Sequence, residues 1–297
     1  MPRRFALSYA QAINRVPRRR LWPVGGLIML ISAGLVVYGQ AAFSEPREGV
    51  AQLSLGVPAY VFPGQPPLQT LQSMSPAPGI VILNPDNGDG PFGPAWQAQA
   101  GRLRARSITV LGYVYTSDAT RPAADVETAI RNYLGSGPGR AHVSGIFLDE
   151  MSTSCAAYSY YANLYRYIRQ LDPGAFVAAN PGTPVNTCFL SPQHPVADTF
   201  VTFEHDASSY ESGYQGNVIG SDGTVSAGSQ YPARMFWHLI YGADAGQMPG
   251  LVALAQQRHA GYAYVTDASL PNPWASVPSY LTAEAQAMAQ APLHRRR

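Results

Sequence analysis

Lysine is absent from this chain of 297 residues, so all 20 basic side chains are arginines. Without lysine, a Schiff base, a lysine nucleophile and the phosphate-binding lysine of a P-loop are all excluded. Charged residues are also scarce, at 13% against about 25% in an ordinary soluble protein. With 46% hydrophobic residues, the composition excludes disordered and coiled-coil proteins and predicts one loop-rich globular domain with a sizeable core.

Acidic residues are missing from the first 20 positions, which carry six arginines. Residues 44–294, by contrast, hold all 18 acidic side chains and only 11 arginines, which gives this part a formal charge of −7. An acidic surface repels nucleic acid and suits a neutral or cationic ligand. We therefore expect no nucleic-acid partner.

A long apolar run, VGGLIMLISAGLVVY at residues 24–38, follows the arginine-rich residues 1–20. The positive-inside rule places residues 1–20 in the cytoplasm and the rest of the chain outside. The run is longer than a signal-peptide core and shorter than a full span, so residues 21–42 are predicted to be an uncleaved signal anchor or a cleaved signal peptide, with a buried helix of a soluble protein as the remaining alternative. We expect an exported protein, anchored in the membrane or secreted, with a linker at 43–52 and a hydrolase domain at 53–297.

From residue 53 onward, short apolar runs alternate with helix-compatible segments such as 123–134 and 158–171. The eight runs are residues 55–62, 79–84, 108–115, 143–149, 175–180, 199–204, 234–241 and 261–266. Near-continuous hydrophobicity is typical of parallel strands that are covered on both faces. Eight strand–helix units in about 240 residues favour a closed (β/α)8 barrel of the TIM type over an open doubly wound sheet.

Cysteine occurs only twice, as Cys155 and Cys188. In an exported protein these two residues are candidates for a disulfide, and the barrel topology places both in neighbouring loops. Two separate buried thiols are the alternative.

Acidic side chains gather where the predicted strands end, which is where the catalytic residues of such barrels lie. Nine of the 18 acidic residues fall at these positions or in the loops that follow. Like charges crowded in one cleft raise one another's pKa values, so such a cleft can contain both an acid and a base.

Six short motifs at these strand ends resemble the spherulin-4 family (spherulation-specific family 4), some of whose members are microbial glycoside hydrolases of family 135. They are VPAYVFPG at 57–64, ILNPDNGDG at 82–90, LGYVYT at 111–116, GIFLDE at 145–150, ANPGT at 179–183 and VTFEHD at 201–206. The resemblance covers roughly residues 54–264, and residues 208–230 depart from the family pattern. It implies a (β/α)8 barrel and endo-acting cleavage of α-1,4-linked N-acetylgalactosamine or galactosamine exopolysaccharides of biofilms. The acidic active-site residues of the family correspond to Asp149, Glu150 and Glu204.

Glycoside hydrolysis requires two carboxyl groups at the scissile bond, one protonated and one ionised. The fourth and sixth predicted strands supply Asp149 and Glu204, and their ends can face each other across the barrel. Consecutive residues point to opposite sides of a strand, so only one of Asp149 and Glu150 can aim into the barrel. We predict Asp149 as the nucleophile or stabilising carboxylate, Glu204 as the general acid/base and Glu150 as a neighbour that raises a pKa or binds sugar hydroxyls. Whether the mechanism retains or inverts configuration stays open.

Other polar and aromatic residues at the strand ends are predicted to bind sugar, because aromatic faces stack on pyranose rings and amides bind hydroxyls. They are Tyr60, Asn84, Asp86, Asn87, Asp89, Tyr113, Tyr115, Asn180, His238 and Tyr264. Each has a structural alternative: core packing for the tyrosines and the histidine, and turn formation for the asparagines and aspartates.

Two other functions remain open at this point. A metal-dependent hydrolase would use Asp86, Asp89, Asp149, Glu150 and His238, although no spacing typical of a metal site is present. A non-catalytic carbohydrate-binding or envelope protein is also compatible with a barrel, since the fold does not fix the function. We expect a polysaccharide as the partner, with no metal and no cofactor.

Overall fold

The computed structural model describes residues 52–135 and 141–290. The arginine-rich residues 1–20, the predicted signal or anchor segment 21–42 and nearly all of the linker lie outside the described residues. Among the helices that the structure describes, none is long and apolar enough to cross a membrane.

Eight parallel strands close into a barrel in which each strand pairs with the next along the chain and the last pairs with the first. The strands are β1 (Ser54–Ala59), β2 (Ile80–Leu83), β3 (Thr109–Tyr115), β4 (Gly145–Asp149), β5 (Phe176–Ala179), β6 (Thr199–Asp206), β7 (Phe236–Tyr241) and β8 (Tyr262–Val265). All eight predicted strands are confirmed. They are buried almost throughout because the barrel interior covers one face and the helices cover the other.

Seven α-helices surround the barrel in the described part of the chain. They are α1 (Pro66–Ser73), α2 (Pro94–Arg104), α3 (Ala123–Leu134), α4 (Tyr158–Leu171), α5 (Ala207–Gly213), α6 (Met248–Gln257) and α7 (Leu281–Gln290). The predicted bounds of α3 and α4 are confirmed. Helix α3 begins directly after Pro122, whose fixed φ suits a helix start, and ends before Gly135, which has a positive φ of 72°.

The connection from β5 to β6 departs from the predicted strand–helix repeat, because it contains no α-helix among its residues 180–198, all of which the structure describes. It carries instead one strand of a small three-stranded sheet. The three strands of this sheet are Val185–Asn186, Val218–Ile219 and Val225–Ser226. The sheet therefore joins the loop after β5 to residues 208–230, the segment that departs from the motif pattern.

The predicted disulfide is confirmed between Cys155 and Cys188, with 6.0 Å between their Cα atoms. Cys155 follows β4 and Cys188 follows β5, so the bridge fastens together the loops after two neighbouring strands. These two strands also carry functional candidates at their carboxyl ends.

Helix α7 packs against β1 and α6 and brings a fully buried carboxyl group, Glu284, into the core. Its Oε1 accepts a hydrogen bond from the Val265 backbone N–H at 2.7 Å. Its Oε2 has no hydrogen-bond partner among the described residues. Burial therefore raises the pKa of Glu284 well above the ordinary glutamate value.

Candidate active site

Three neighbouring strands, β4, β5 and β6, bring Asp149, Asn180 and Glu204 together at their carboxyl ends. Asp149 is the last residue of β4, Asn180 directly follows β5, and Glu204 lies two residues before the end of β6. Since β5 lies between the other two strands, Asn180 is placed between the two carboxyl groups.

The Asn180 side chain bridges the two carboxyl groups. Its Nδ2 donates to Asp149 Oδ1 at 2.7 Å and to Glu204 Oε2 at 2.6 Å, and only 8% of the residue is exposed. Its Oδ1 accepts from the Gly182 backbone N–H at 2.8 Å, which fixes the orientation of the amide. Because both oxygens bind the same amide nitrogen, they lie no more than about 5.3 Å apart.

Glu204 is the carboxyl group that favours the protonated form. Burial, followed by the negative charge of Asp149, raises its pKa to about 7, although hydrogen bonds from Asn180 and Trp274 act in the opposite direction. The Trp274 indole N–H donates to Glu204 Oε1 at 3.2 Å. A carboxyl group with this pKa is partly protonated at neutral pH, as a general acid must be.

Asp149 has more donors around its carboxylate. Burial raises its pKa, but hydrogen bonds from the Tyr113 hydroxyl, the Glu150 backbone N–H and Asn180 lower it. Three donors stabilise the ionised form, so Asp149 is the partner that carries the negative charge when Glu204 holds the proton.

Glu150 points away from this pair, as expected for the residue after Asp149. It has a positive φ of 52° and an exposed side chain, whose Oε2 accepts from the Ser117 hydroxyl at 3.2 Å. Its negative charge contributes to the raised pKa of Asp149. The structure therefore places Glu150 beside the catalytic candidates and not between them.

Two tyrosines form a wall beside the carboxyl pair. The rings of Tyr60 and Tyr113 pack edge to face with centroids 5.5 Å apart. Burial, with the added negative charge of Asp149, raises the pKa of both hydroxyls, so both remain neutral donors. The structure brings these two predicted residues together with Asp149 and Glu204.

The loop after β2 carries three more of the residues that are predicted to bind sugar. Asp86 and Asn87 are exposed in left-handed conformations, with φ values of 49° and 54°. The half-buried Asn84 has an Oδ1 atom without a hydrogen-bond partner in the described ranges. None of these three residues forms a hydrogen bond with Asp149 or Glu204.

Asp89 and Tyr115 are engaged with Arg121. The Arg121 guanidinium pairs with Asp89 at 2.6 Å and lies over the Tyr115 ring, 4.0 Å from its centroid. The Tyr115 hydroxyl also donates to Asp89 at 3.3 Å. The side chains of Asp89 and Tyr115 are therefore already bound to Arg121 and to each other, and the predicted sugar contacts would be made by this cluster as a whole.

His238 and Tyr264 are not at the rim, and the prediction that they contact substrate is wrong. His238 is fully buried behind the barrel wall, where burial lowers its pKa to about 3 and keeps the ring neutral. Tyr264 is also fully buried, and its hydroxyl donates to the Ser276 carbonyl at 3.3 Å. Both residues pack in the core of the protein, which was the structural alternative to sugar binding.

The residues proposed for a metal site are not assembled. His238 lies in the core while Asp86 and Asp89 are exposed on the rim, and no group of three or more potential ligands occurs in residues 52–135 and 141–290.

Trp274 is the site residue that the sequence analysis missed. It lies in the loop between β8 and α7, where its ring packs 5.9 Å from that of Tyr264, and it is 7% exposed. The available signal was a tryptophan in the proline-rich stretch PNPWASVP at residues 271–278, in the loop that follows the last barrel strand.

A closed barrel of eight parallel strands with a buried, amide-bridged carboxyl pair at its carboxyl end defines a (β/α)8 barrel protein with a two-carboxylate site. The model of the Spherulin4 family, described as Spherulation-specific family 4, matches residues 54–288, and the chain belongs to this family. It is 29% identical over 285 residues to Spherulin-4 of Physarum polycephalum, covering 94% of this chain and 79% of that protein.

A solved structure confirms the fold. The crystal structure of Aspergillus clavatus Sph3 in complex with GalNAc superposes with a TM-score of 0.65 at 22% identity, covering 80% of this chain and 98% of that chain. The barrel architecture is thus common to both chains.

Proposed function

We propose that this protein is a retaining glycoside hydrolase that cleaves α-1,4-linked N-acetylgalactosamine or galactosamine polymers within the chain. The observation that carries the proposal is the carboxyl pair Asp149–Glu204, bridged by Asn180 with facing oxygens no more than about 5.3 Å apart. Retaining glycosidases have carboxyl groups about 5–5.5 Å apart, whereas inverting enzymes need about 6.5–9.5 Å to admit a water molecule.

The two groups have complementary roles in this mechanism. Glu204 donates its proton to the glycosidic oxygen as the bond to the anomeric carbon breaks, and an Asp149 oxygen forms a bond to that carbon. Glu204, now ionised, then takes a proton from water. The resulting hydroxyl attacks the anomeric carbon and releases Asp149 as a carboxylate, which restores both groups.

The environments of the two carboxyl groups support this division. The pKa of Glu204 is raised to about 7, so it holds a proton near neutral pH. Asp149 accepts hydrogen bonds from three donors, which favours its ionised form as a nucleophile. Tyr60 and Tyr113 offer ring edges and hydroxyls to a sugar bound above the pair.

The substrate class is supported by the family and by charge. Sph3, which shares the fold, binds GalNAc in its crystal structure. The formal charge of −7 on residues 44–294 favours a polymer that is at least partly deacetylated and therefore cationic. Export through residues 21–42 would place the enzyme where exopolysaccharides occur.

The test is release of reducing ends from purified N-acetylgalactosamine polymer and from its deacetylated form. We expect the full chain to release reducing ends from at least one polymer and to produce oligosaccharides of mixed length. Asp149→Asn and Glu204→Gln should each lower kcat by about three orders of magnitude. Glu211→Gln, at an exposed position on α5, is the matched control and should retain the activity of the parent.

Binding of either polymer without turnover by the parent would contradict the proposal and would indicate a carbohydrate-binding protein. Loss of turnover on treatment with a chelator would also contradict it, because the mechanism requires only the two carboxyl groups.

A further inference from the structure

Strand β6 contains a β-bulge two residues before Glu204. Along its pairing with β7, Val201 lies opposite Trp237, but the next β7 residue, His238, lies opposite Phe203. Thr202 therefore has no partner in the ladder. A bulge adds one residue to one strand and is a known means of re-aiming a side chain next to a functional site.

The bulge changes which residues of β6 face the barrel interior. Trp237, the partner of Val201, faces inward, because its ring packs against Phe147 of β4 at 5.9 Å. Strict alternation from Val201 would place Thr202 outward, Phe203 inward and Glu204 outward.

The observed contacts are different. Thr202 and Phe203 both face outward, since the Thr202 hydroxyl reaches Asn217 and the Phe203 ring packs against Tyr210 of α5 at 4.7 Å. Glu204 therefore faces inward, toward Asn180 and Asp149. If the same residues paired with β7 in strict alternation and without a bulge, Glu204 would lie on the helix-covered side of the barrel wall.

A buried polar cluster lies on the outer side of the bulge. The Thr202 hydroxyl donates to Asn217 Oδ1 at 2.7 Å, and His238 Nε2 lies 2.7 Å from the same oxygen. An amide oxygen only accepts, so Nε2 carries the proton and Nδ1 accepts from the Tyr210 hydroxyl at 2.7 Å. Thr202, Asn217 and His238 are all completely buried.

The Asn217 amide group fastens this cluster to the rest of the fold. Its Nδ2 donates to the backbone carbonyls of Ala227 at 2.9 Å and Arg258 at 2.8 Å. Asn217 directly precedes a strand of the small sheet, so residues 208–230 reach the back of β6 through this side chain.

We propose that Thr202 and Asn217 are positioning residues for Glu204: the hydrogen bond between them maintains the bulge that turns Glu204 into the active site. This inference rests on the proposed function in so far as Glu204 is the general acid/base. Neither side chain forms a hydrogen bond with Asp149, Asn180 or Glu204. They act from the outer face of the strand.

The test compares substitutions at two buried threonines of the same strand. Thr202→Val removes the hydroxyl and keeps the branched shape, whereas Thr202→Ser keeps a hydroxyl and serves as the rescue. Thr199→Val is the matched control, because the Thr199 hydroxyl is buried without a partner in the part of the chain described. Should Thr202→Val not fold, Thr202→Ala removes the same hydroxyl with a smaller side chain.

Two quantities are measured on the full chain: kcat and KM for the polymer, and the pKa of Glu204 from carboxyl ¹³C NMR, with the signal assigned by Glu204→Gln. In Thr202→Val we expect kcat to fall by about 100-fold, the effect of a misplaced catalytic group, while KM changes little. The pKa of Glu204 should fall from about 7 toward the ordinary 4.5, since the group leaves its buried position beside Asp149. Thr202→Ser should restore both quantities and Thr199→Val should match the parent.

A Thr202→Val protein with the kcat and the Glu204 pKa of the parent would overturn the positioning role. A fall in kcat without any change in this pKa would also overturn it, because a general loss of stability produces that result. If the pKa moves but no form of the protein hydrolyses a polysaccharide, the positioning role stands and the proposed function fails.

Discussion

Replacing Asn180 by alanine tests the electrostatic account of the site, because one amide nitrogen of Asn180 donates to both carboxyl groups. Its loss leaves Asp149 and Glu204 facing each other with no donor between them. Hydrogen bonds to charged groups contribute about 1.5–3 kcal/mol each, and one pKa unit corresponds to about 1.4 kcal/mol. The pKa of both groups should therefore rise, and both limbs of the pH profile should move to higher pH by about one to two units.

The assay is the pH dependence of kcat/KM for reducing-end release, which reports the ionisations of the free enzyme. At neutral pH the rate of Asn180→Ala should fall, because a larger fraction of Asp149 is protonated and cannot act as a nucleophile. Asn186→Ala is the matched control, since the Asn186 amide donates at 2.8 Å to the Thr153 carbonyl and forms no hydrogen bond with Asp149 or Glu204. Its profile should coincide with that of the parent.

A profile of Asn180→Ala that loses height but keeps both limbs in place would refute this reasoning. Such a result would mean that the amide only orients substrate and does not set the pKa values of the pair. The measurement is made well below the unfolding temperature, because the variant also removes the acceptor for the Gly182 N–H.

Three further predictions concern the surroundings of the site. Trp274→Phe removes the N–H donor to Glu204 and keeps a ring, so the basic limb of the pH profile should move up by about one unit, and an unmoved limb would count against that hydrogen bond. Glu284 has a raised pKa when folded, so its contribution to stability is greatest below about pH 4.5 and declines as the pH rises. Glu284→Gln should therefore match the parent in acid and increase the free energy of unfolding at higher pH, and denaturant titrations that show an equal effect at every pH would contradict this. Removing the disulfide by Cys155→Ser with Cys188→Ser opens a loop with a sequence separation of 33 and should lower the free energy of unfolding by about 3–4 kcal/mol, whereas unchanged denaturation midpoints would contradict that prediction.

The barrel was accessible from the sequence because its strands are covered on both faces. Strands of this kind appear as continuous apolar runs, and polar residues such as Asp149 and Asn180 mark the points where the runs end. The ends of these apolar runs also made the carboxyl pair predictable, since the carboxyl ends of parallel strands meet at one end of the barrel.

His238 and Trp274 show where this reasoning stops. A continuous apolar strand has no alternation in its sequence, so nothing indicates that a bulge at Thr202 changes the residues that face inward, or that His238 faces the outer cluster. Trp274 reaches Glu204 from a loop without periodicity, where only the tertiary structure sets the direction of a side chain. The inward direction of Glu204 was predicted, but the bulge that produces it was not.

The configuration of the first product tests the central claim most directly. Proton NMR of the full chain acting on an α-linked galactosamine oligosaccharide distinguishes the anomers before they equilibrate. Because the facing oxygens of Asp149 and Glu204 lie no more than about 5.3 Å apart, we expect the α-anomer to be released first. Release of the β-anomer first would contradict the account, since it requires a water molecule between carboxyl groups that this structure holds too close together.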